Sequence, residues 1–175
     1  MRNELIQSIL RSFKRLDEVD GCLFEMRLTS DVEDQARKLH EVCINHRLAL
    51  YFETFVLPHI STNEPMFIDL EFNKRGNNSK DIEIDGDVFT VRPDIIIHNR
   101  KDDLQKYNLL IVECKKLPCS TQLKKRDGRK IEAFLKNEKY QYKFGLQVFY
   151  SPEGTWGYFF EMIGSNMSFE KIQYS

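Results

Sequence analysis

Two short strings bring together side chains able to do chemistry. They are Pro93-Asp94 and Glu113-Cys114-Lys115, with eighteen residues between Asp94 and Glu113. On a pleated strand, side chains two apart point the same way, so Glu113 and Lys115 share a face while Val112 and Cys114 point to the other. If the Asp94 segment is the neighbouring strand, its carboxylate joins Glu113. Pro93 removes a ladder donor where that strand must open or bend. Two carboxylates about 4 Å apart repel by roughly 4 kcal/mol at an effective dielectric near 20, so they must share a proton or a cation. Hard oxygen ligands with room for water and phosphate suit Mg²⁺ or Mn²⁺. Such an ion polarises a phosphoryl oxygen and activates water, with Lys115 orienting that water or stabilising developing charge. This constellation suits phosphodiester hydrolysis; a salt-bridged Asp/Glu/Lys cluster at a strand end is the plainer alternative.

The elements that must position these residues can be traced in the hydrophobic pattern. Val88 to His98 and Tyr107 to Lys115 are β-branched or aliphatic runs joined by a polar loop containing Lys101, Asp102 and Asp103, which predicts adjacent antiparallel strands. Leu109 to Val112 is apolar on both faces, as a central strand covered by helices should be. Met66 to Phe72 predicts an earlier strand, ended by the turn-rich KRGNNSK. Asp127 to Asn137 carries Ile131, Phe134 and Leu135 at helical spacing, and Phe144 to Tyr150 and Thr155 to Met162 predict two strands around a Pro-Glu-Gly turn. Upstream, Leu5, Ile6, Ile9, Leu10, Phe13 and Leu16 form one stripe of an amphipathic helix over residues 2 to 18. A second helix opens at Ser30, with Glu33 in capping-box register, and ends before Pro58. No repeat or linker divides the chain, so one α/β domain spanning 1–175 with a mixed sheet is expected.

At the two acidic strings the sequence resembles the PD-(D/E)XK nuclease superfamily, in VRPDIIIHNR followed by NLLIVECKK. HEVCINHRLALYF resembles the first core helix of small stand-alone members, with Glu41 five residues before His46. FIDLEFN resembles their first core strand, with Glu71 and Asn73. RDGRKIEAF and YQYKFGLQVFY resemble the later helix and the strand that closes the core. The match runs over about residues 30 to 150, leaving 1–28 as an N-terminal helical extension and the tail beyond Gly164 unmatched. The resemblance implies a restriction-endonuclease-like fold, a mixed four- to five-stranded sheet flanked by helices. It implies that Asp94, Glu113 and the Cys114 carbonyl bind a divalent metal, Mg²⁺ or Mn²⁺. Lys115 becomes the catalytic lysine and Glu41 a helix-borne acid near the metal. DNA is the implied substrate, with a homodimer as a further expectation. A catalytically silent module of the same fold, binding DNA or a protein, is the alternative.

Composition bounds the rest. A chain of 175 residues and 20.8 kDa, 41% hydrophobic and 30% charged, can bury a core and is poorly suited to disorder. No apolar run approaches the roughly 18 residues that cross a bilayer, and MRNELIQSIL lacks the pattern of a secretory signal. Cys22, Cys43, Cys114 and Cys119 show no CxxC pairing. Free thiols and a cytoplasmic location are therefore expected. The net charge is −1, yet residues 115 to 143 hold ten Lys or Arg against three acids, so that stretch is +7 and the remainder −8. A solvated face or a phosphate-guiding surface would both account for it; as the latter, Lys74, Arg92, Lys116, Lys124, Lys125, Arg126 and Lys130 are its candidate members.

Weaker candidates complete the set. Glu41 shares a helical face with Asn45, Leu48 and Phe52, an acid on an otherwise core-facing stripe. His46 falls on the stripe of Leu39, Cys43 and Leu50 and is expected as a core or supporting histidine. Glu71 is expected to bind a water or a second ion, or simply to be a surface strand residue. Tyr140 and Tyr142 could stack on splayed bases or pack in the core. His40-Glu41 lacks the second His of HExxH, since position 44 is Ile. There is no Walker loop, GxGxxG or GxSxG, which disfavours nucleotide-triphosphate motors and serine hydrolases.

Overall fold

The structure, a computed structural model, describes residues 1–25, 41–75, 78–101 and 108–175. The helix start expected at Ser30 and Glu33, together with Leu39, His40, Asp102, Asp103 and Tyr107, lies outside the described residues.

Helix α1 (Arg2–Asp20) buries Leu5, Ile6, Ile9, Phe13 and Leu16, the stripe expected of it. It packs on α3 (Glu41–Phe55) after a single turn, α2 (Cys22–Glu25). Its Asp17 accepts hydrogen bonds from the Thr155 amide at 2.7 Å and the Tyr174 hydroxyl at 2.5 Å. The N-terminal helix is thus tied into the body rather than appended to it. Among the described residues no helix is long and apolar enough to cross a membrane.

The main sheet is built from β1 (Phe67–Leu70), β6 (Ile95–His98), β7 (Leu110–Lys116), β8 (Phe144–Tyr150), β9 (Trp156–Ile163) and β10 (Asn166–Gln173), in that spatial order. All neighbours are antiparallel except β7 and β8, which run parallel. That parallel pair is linked by α4 (Thr121–Lys136), as a parallel crossover requires. Along the chain, β1 and β6 are separated by two small hairpins outside this sheet, β2 (Lys74–Arg75) with β3 (Asn78–Ser79) and β4 (Asp81–Ile84) with β5 (Asp87–Thr90).

Several expectations need correction. The sheet has six strands, not four to five, because the unmatched tail turns at Gly164 (φ +62°) and pairs along the whole of β9. The first strand stops at Leu70, where Glu71 takes φ +49°, a left-handed value that ends an extended run. Val88 to His98 is not one strand: β5 pairs with β4, Val91 to Asp94 leaves the ladder, and β6 starts only at Ile95. Helix α4 begins at Thr121 rather than Asp127, capped by Ser120, whose side chain accepts the Leu123 amide at 3.2 Å. The antiparallel neighbours β6 and β7 are as expected.

Alternation divides the sheet's side chains between two layers. Ile95, Ile97, Leu110, Val112, Leu146 and Val148 face α1 and α3. Ile96, Ile111 and Phe160 face α4 and the β4–β5 hairpin. Gly145 lets α4 lie directly on the sheet, since a Cβ there would fall 2.1 Å from Ile131 Cγ2.

Candidate active site

The site forms where β7 outruns its neighbour. The β6 ladder ends at the Ile95–Val112 rung, so Glu113 to Lys116 continue with that side open. Asp94, one residue before β6, fills the gap: its Oδ2 accepts the Cys114 amide at 2.7 Å. Pro93 just upstream has no amide to offer a ladder. Glu113 and Lys115 share the face of Ile111, toward α4, as two-residue periodicity requires.

From the far side of the sheet α3 brings Glu41, its first described residue, to the same strand end. Glu41 accepts the Lys116 amide at 3.0 Å and lies 3.3 Å from Lys115 Nζ. From above, α4 contributes Asp127 and Lys130. Lys130 Nζ lies 2.9 Å from Glu113 Oε2 and 3.1 Å from Asp127 Oδ1; Lys115 Nζ lies 3.5 Å from Asp127 Oδ2. Charges of alternating sign therefore run Glu41, Lys115, Asp127, Lys130, Glu113. Asp94 stands beside this row, close enough that its charge is felt at Glu113 and Lys115.

Burial decides the electrostatics. Glu113 is 1% exposed. Its carboxyl is pushed up to about 8, first by loss of water and then by the charge of Asp94, with Lys130 opposing. Burial likewise raises Asp94 to about 6, although the Cys114 amide and Lys115 favour its ionised form. Burial alone would lower Lys115, but Asp127, Glu41 and Asp94 outweigh it and raise the ammonium. Among the described residues, Glu113 Oε1 is a buried oxygen with no hydrogen-bond partner. A partnerless carboxylate oxygen beside the half-buried Asp94 is the donor set a hard cation would fit. Among the described residues no three His, Cys, Asp or Glu side chains form a ready-made metal cage. A divalent ion here would rest on Asp94 and Glu113 and take its other oxygens from water and substrate. The Cys114 carbonyl, expected as a ligand, accepts Lys115 Nζ at 2.9 Å.

The remaining candidates sort by what they touch. Glu71 turns to Arg92, with 3.4 Å between Oε2 and Nη1, and Arg92 stays largely exposed. His46 is exposed on α3 along with Cys43, so it is not a core histidine. The buried face of that helix is instead Ile44, Asn45, Leu48 and Phe52, which leaves Glu41 at its edge as expected. Lys130 is not a free phosphate guide, because it neutralises Glu113 and Asp127. Lys116 Nζ donates to the Leu23 carbonyl at 3.2 Å, and Lys124 Nζ sits 5.3 Å from the Phe149 ring centroid. Lys74, Lys125 and Arg126 are exposed and available to an anionic partner. Tyr140 and Tyr142 are core residues at 4% and 3% exposure, packed around Phe134, and not a base platform.

The sequence pattern does not single out Asp127, which lies among basic neighbours. One signal was present: Asp127, Lys130, Ile131 and Phe134 are spaced by three, four and seven, so they share a helical face with the core residues of α4. No family model, curated protein or solved structure matches the chain.

Proposed function

We propose that this chain is a divalent-metal-dependent nuclease that hydrolyses phosphodiester bonds in DNA, a member of the PD-(D/E)XK type. The observation that carries this is the convergence of Asp94 and Glu113 at the open end of β7, with Lys115 on the same face and Glu41 arriving from α3. The chain order α3, β1, β6, β7, α4, β8, with only the last two strands parallel, accords with a mixed sheet flanked by helices, to which β9 and β10 add two further strands. In α/β sheets, ligands favour the carboxyl ends of parallel strands, which is where these residues stand.

Asp94 and Glu113 would hold Mg²⁺ or Mn²⁺. When bound, that ion neutralises the two carboxylates and draws charge from a phosphoryl oxygen. The protein's own contribution is positional. Glu41 and Asp127 hold the Lys115 ammonium from two sides, keeping it charged and aimed at the place where a phosphate would gain negative charge. Asp94 is itself oriented by the Cys114 amide. Lys125, Arg126 and Arg92 lie outward, where they would attract the DNA backbone.

The test is incubation with supercoiled plasmid and with single-stranded DNA in Mg²⁺ or Mn²⁺, beside a Lys115→Ala control. Metal-dependent nicking by the parent alone supports the assignment; equal nicking by both discredits it.

One observation favours a second reading, a module of this fold that binds DNA or a protein without turnover. Lys130 and Lys115 already compensate Glu113, Asp127, Glu41 and the Cys114 carbonyl. In that case Mn²⁺ would leave thermal stability unchanged while DNA bound with a steep salt dependence.

A further inference from the structure

We infer that the outer face of β9 and β10 is a stacking platform for an unpaired DNA strand, formed by Trp156, Tyr158 and Phe169 with Lys171 as its cation. Only the choice of DNA as ligand rests on the nuclease reading; the surface itself is read from strand register and burial.

The register places this face in line with the acids. Lys115 pairs with Phe149, and Phe149 with Trp156, so a row leads sideways from the lysine across two strands. At about 4.8 Å per strand, Trp156 lies roughly 10 Å from the Lys115 backbone. The next row runs Glu113, Gln147, Tyr158, Lys171, and the one after it ends on Phe160 and Phe169. Helix α4 covers β8 in these rows through Ile131 over Gly145 and the Lys124 carbonyl, which accepts from Gln147. Beyond the helix the rows pass half-buried Trp156 and Tyr158 and reach exposed Lys171 and Phe169.

What emerges is aromatic and cationic. Buried Phe149 supports Trp156 from below, stacked at 4.4 Å between centroids; Trp156 meets Tyr158 edge-on at 5.5 Å, and Tyr158 meets Phe169 edge-on at 5.6 Å. Phe169 is 61% exposed, and its ring continues the aromatic row of Trp156 and Tyr158 at the surface of the described residues. Lys171 Nζ lies 4.8 Å from the Trp156 centroid, and Lys124 Nζ attends Phe149. The acids of these strands are on the opposite face, where Arg2 pairs with both Glu161 and Glu170. Rings for bases, ammoniums for phosphates and carboxylates turned away together suit a single strand, whose bases are free to stack. A duplex hides its base faces and would gain only the ionic part.

The chain has one tryptophan, Trp156, so its fluorescence reports directly on this face. The experiment titrates the protein, in EDTA so that no cleavage occurs, with oligo(dT) and with a blunt duplex of equal length. Oligo(dT) should quench Trp156 and bind more tightly than the duplex. Phe169→Ala, a change at an exposed position with melting temperature as the folding control, should weaken oligo(dT) binding about ten-fold. Lys171→Ala should reduce the salt slope by roughly one ion. The inference is overturned if oligo(dT) leaves Trp156 unchanged, if the duplex quenches equally, or if Phe169→Ala binds like the parent. It is also overturned if Phe169→Ala converts a dimer to a monomer without touching DNA binding, which would make this face a contact between copies. A parent that quenches with oligo(dT) but never nicks DNA in Mg²⁺ defeats the nuclease reading alone; one that nicks without quenching defeats the platform alone.

Discussion

The Asp94 carboxylate accepts the Cys114 amide at 2.7 Å, just past the last rung joining β6 to β7. A side chain thus takes the place of a strand that has ended. The same bond that satisfies an open ladder edge also delivers an acid next to Glu113.

Asp94→Asn tests what that acid costs. The amide oxygen can still accept from Cys114, while repulsion against buried Glu113 disappears. The variant should melt no lower than the parent without metal, and a Mn²⁺-induced rise in melting temperature seen in the parent should vanish. Differential scanning fluorimetry with and without Mn²⁺ measures both. A variant that melts far lower would show that Asp94 serves chiefly as a structural cap.

Lys130→Met removes the ammonium that touches both Glu113 and Asp127. Removing one partner from this half-buried group costs roughly 1–3 kcal/mol, because Glu113 can take up a proton in place of the lost ammonium, so the metal-free protein should lose about that much in a denaturant titration. Mn²⁺ would then restore part of the loss, giving a larger metal-induced stabilisation than in the parent. An unchanged metal response would show that Lys130 does not compete for Glu113.

Gly145→Ala addresses how the fold holds the site. The added Cβ would meet Ile131 Cγ2 at 2.1 Å, forcing α4 off the sheet and carrying Asp127 and Lys130 with it. Overpacking of this kind costs about 1–3 kcal/mol, and nicking activity should fall with stability. Ile131→Ala in the same chain opens the space again, so the double variant should recover part of both. Recovery of neither would place the defect elsewhere.

The acid limb of stability should depend on Asp69, on β1. Burial would raise its carboxyl, but hydrogen bonds from His98 and Arg100 outweigh that and hold it well below its ordinary value. A lowered folded value means that the unfolded chain binds the proton more readily. The stabilisation is therefore complete above the ordinary value near 3.8 and is lost progressively as pH falls below it. Urea unfolding across that range should show a shallower decline for Asp69→Asn than for the parent; identical slopes would assign the acid sensitivity to other carboxylates.

Much of the site was legible because alternation is a local property. Side chains two apart on a strand share a face whatever the surroundings, so Glu113 and Lys115 were paired by the string itself. The stripe that put Glu41 beside Asn45, Leu48 and Phe52 is equally local, and those three are buried. Other features depend on what packs from a distance. His46 and Cys43 face water because α1 covers the opposite side of α3. By sequence Lys130 is one cation of a basic stretch, yet it meets Glu113 because α4 crosses the open end of β7.

The amino-acid sequence by itself determined the periodicities, hence the helices, most of the strands and the two faces each presents, because these follow from backbone geometry within a few residues. Only the tertiary structure decided that β6 stops where β7 continues, that Asp127 enters the acidic group, and that the tail beyond Gly164 closes the sheet with an exposed aromatic edge. Those outcomes depend on contacts between segments far apart in the chain, whose energies no local pattern records.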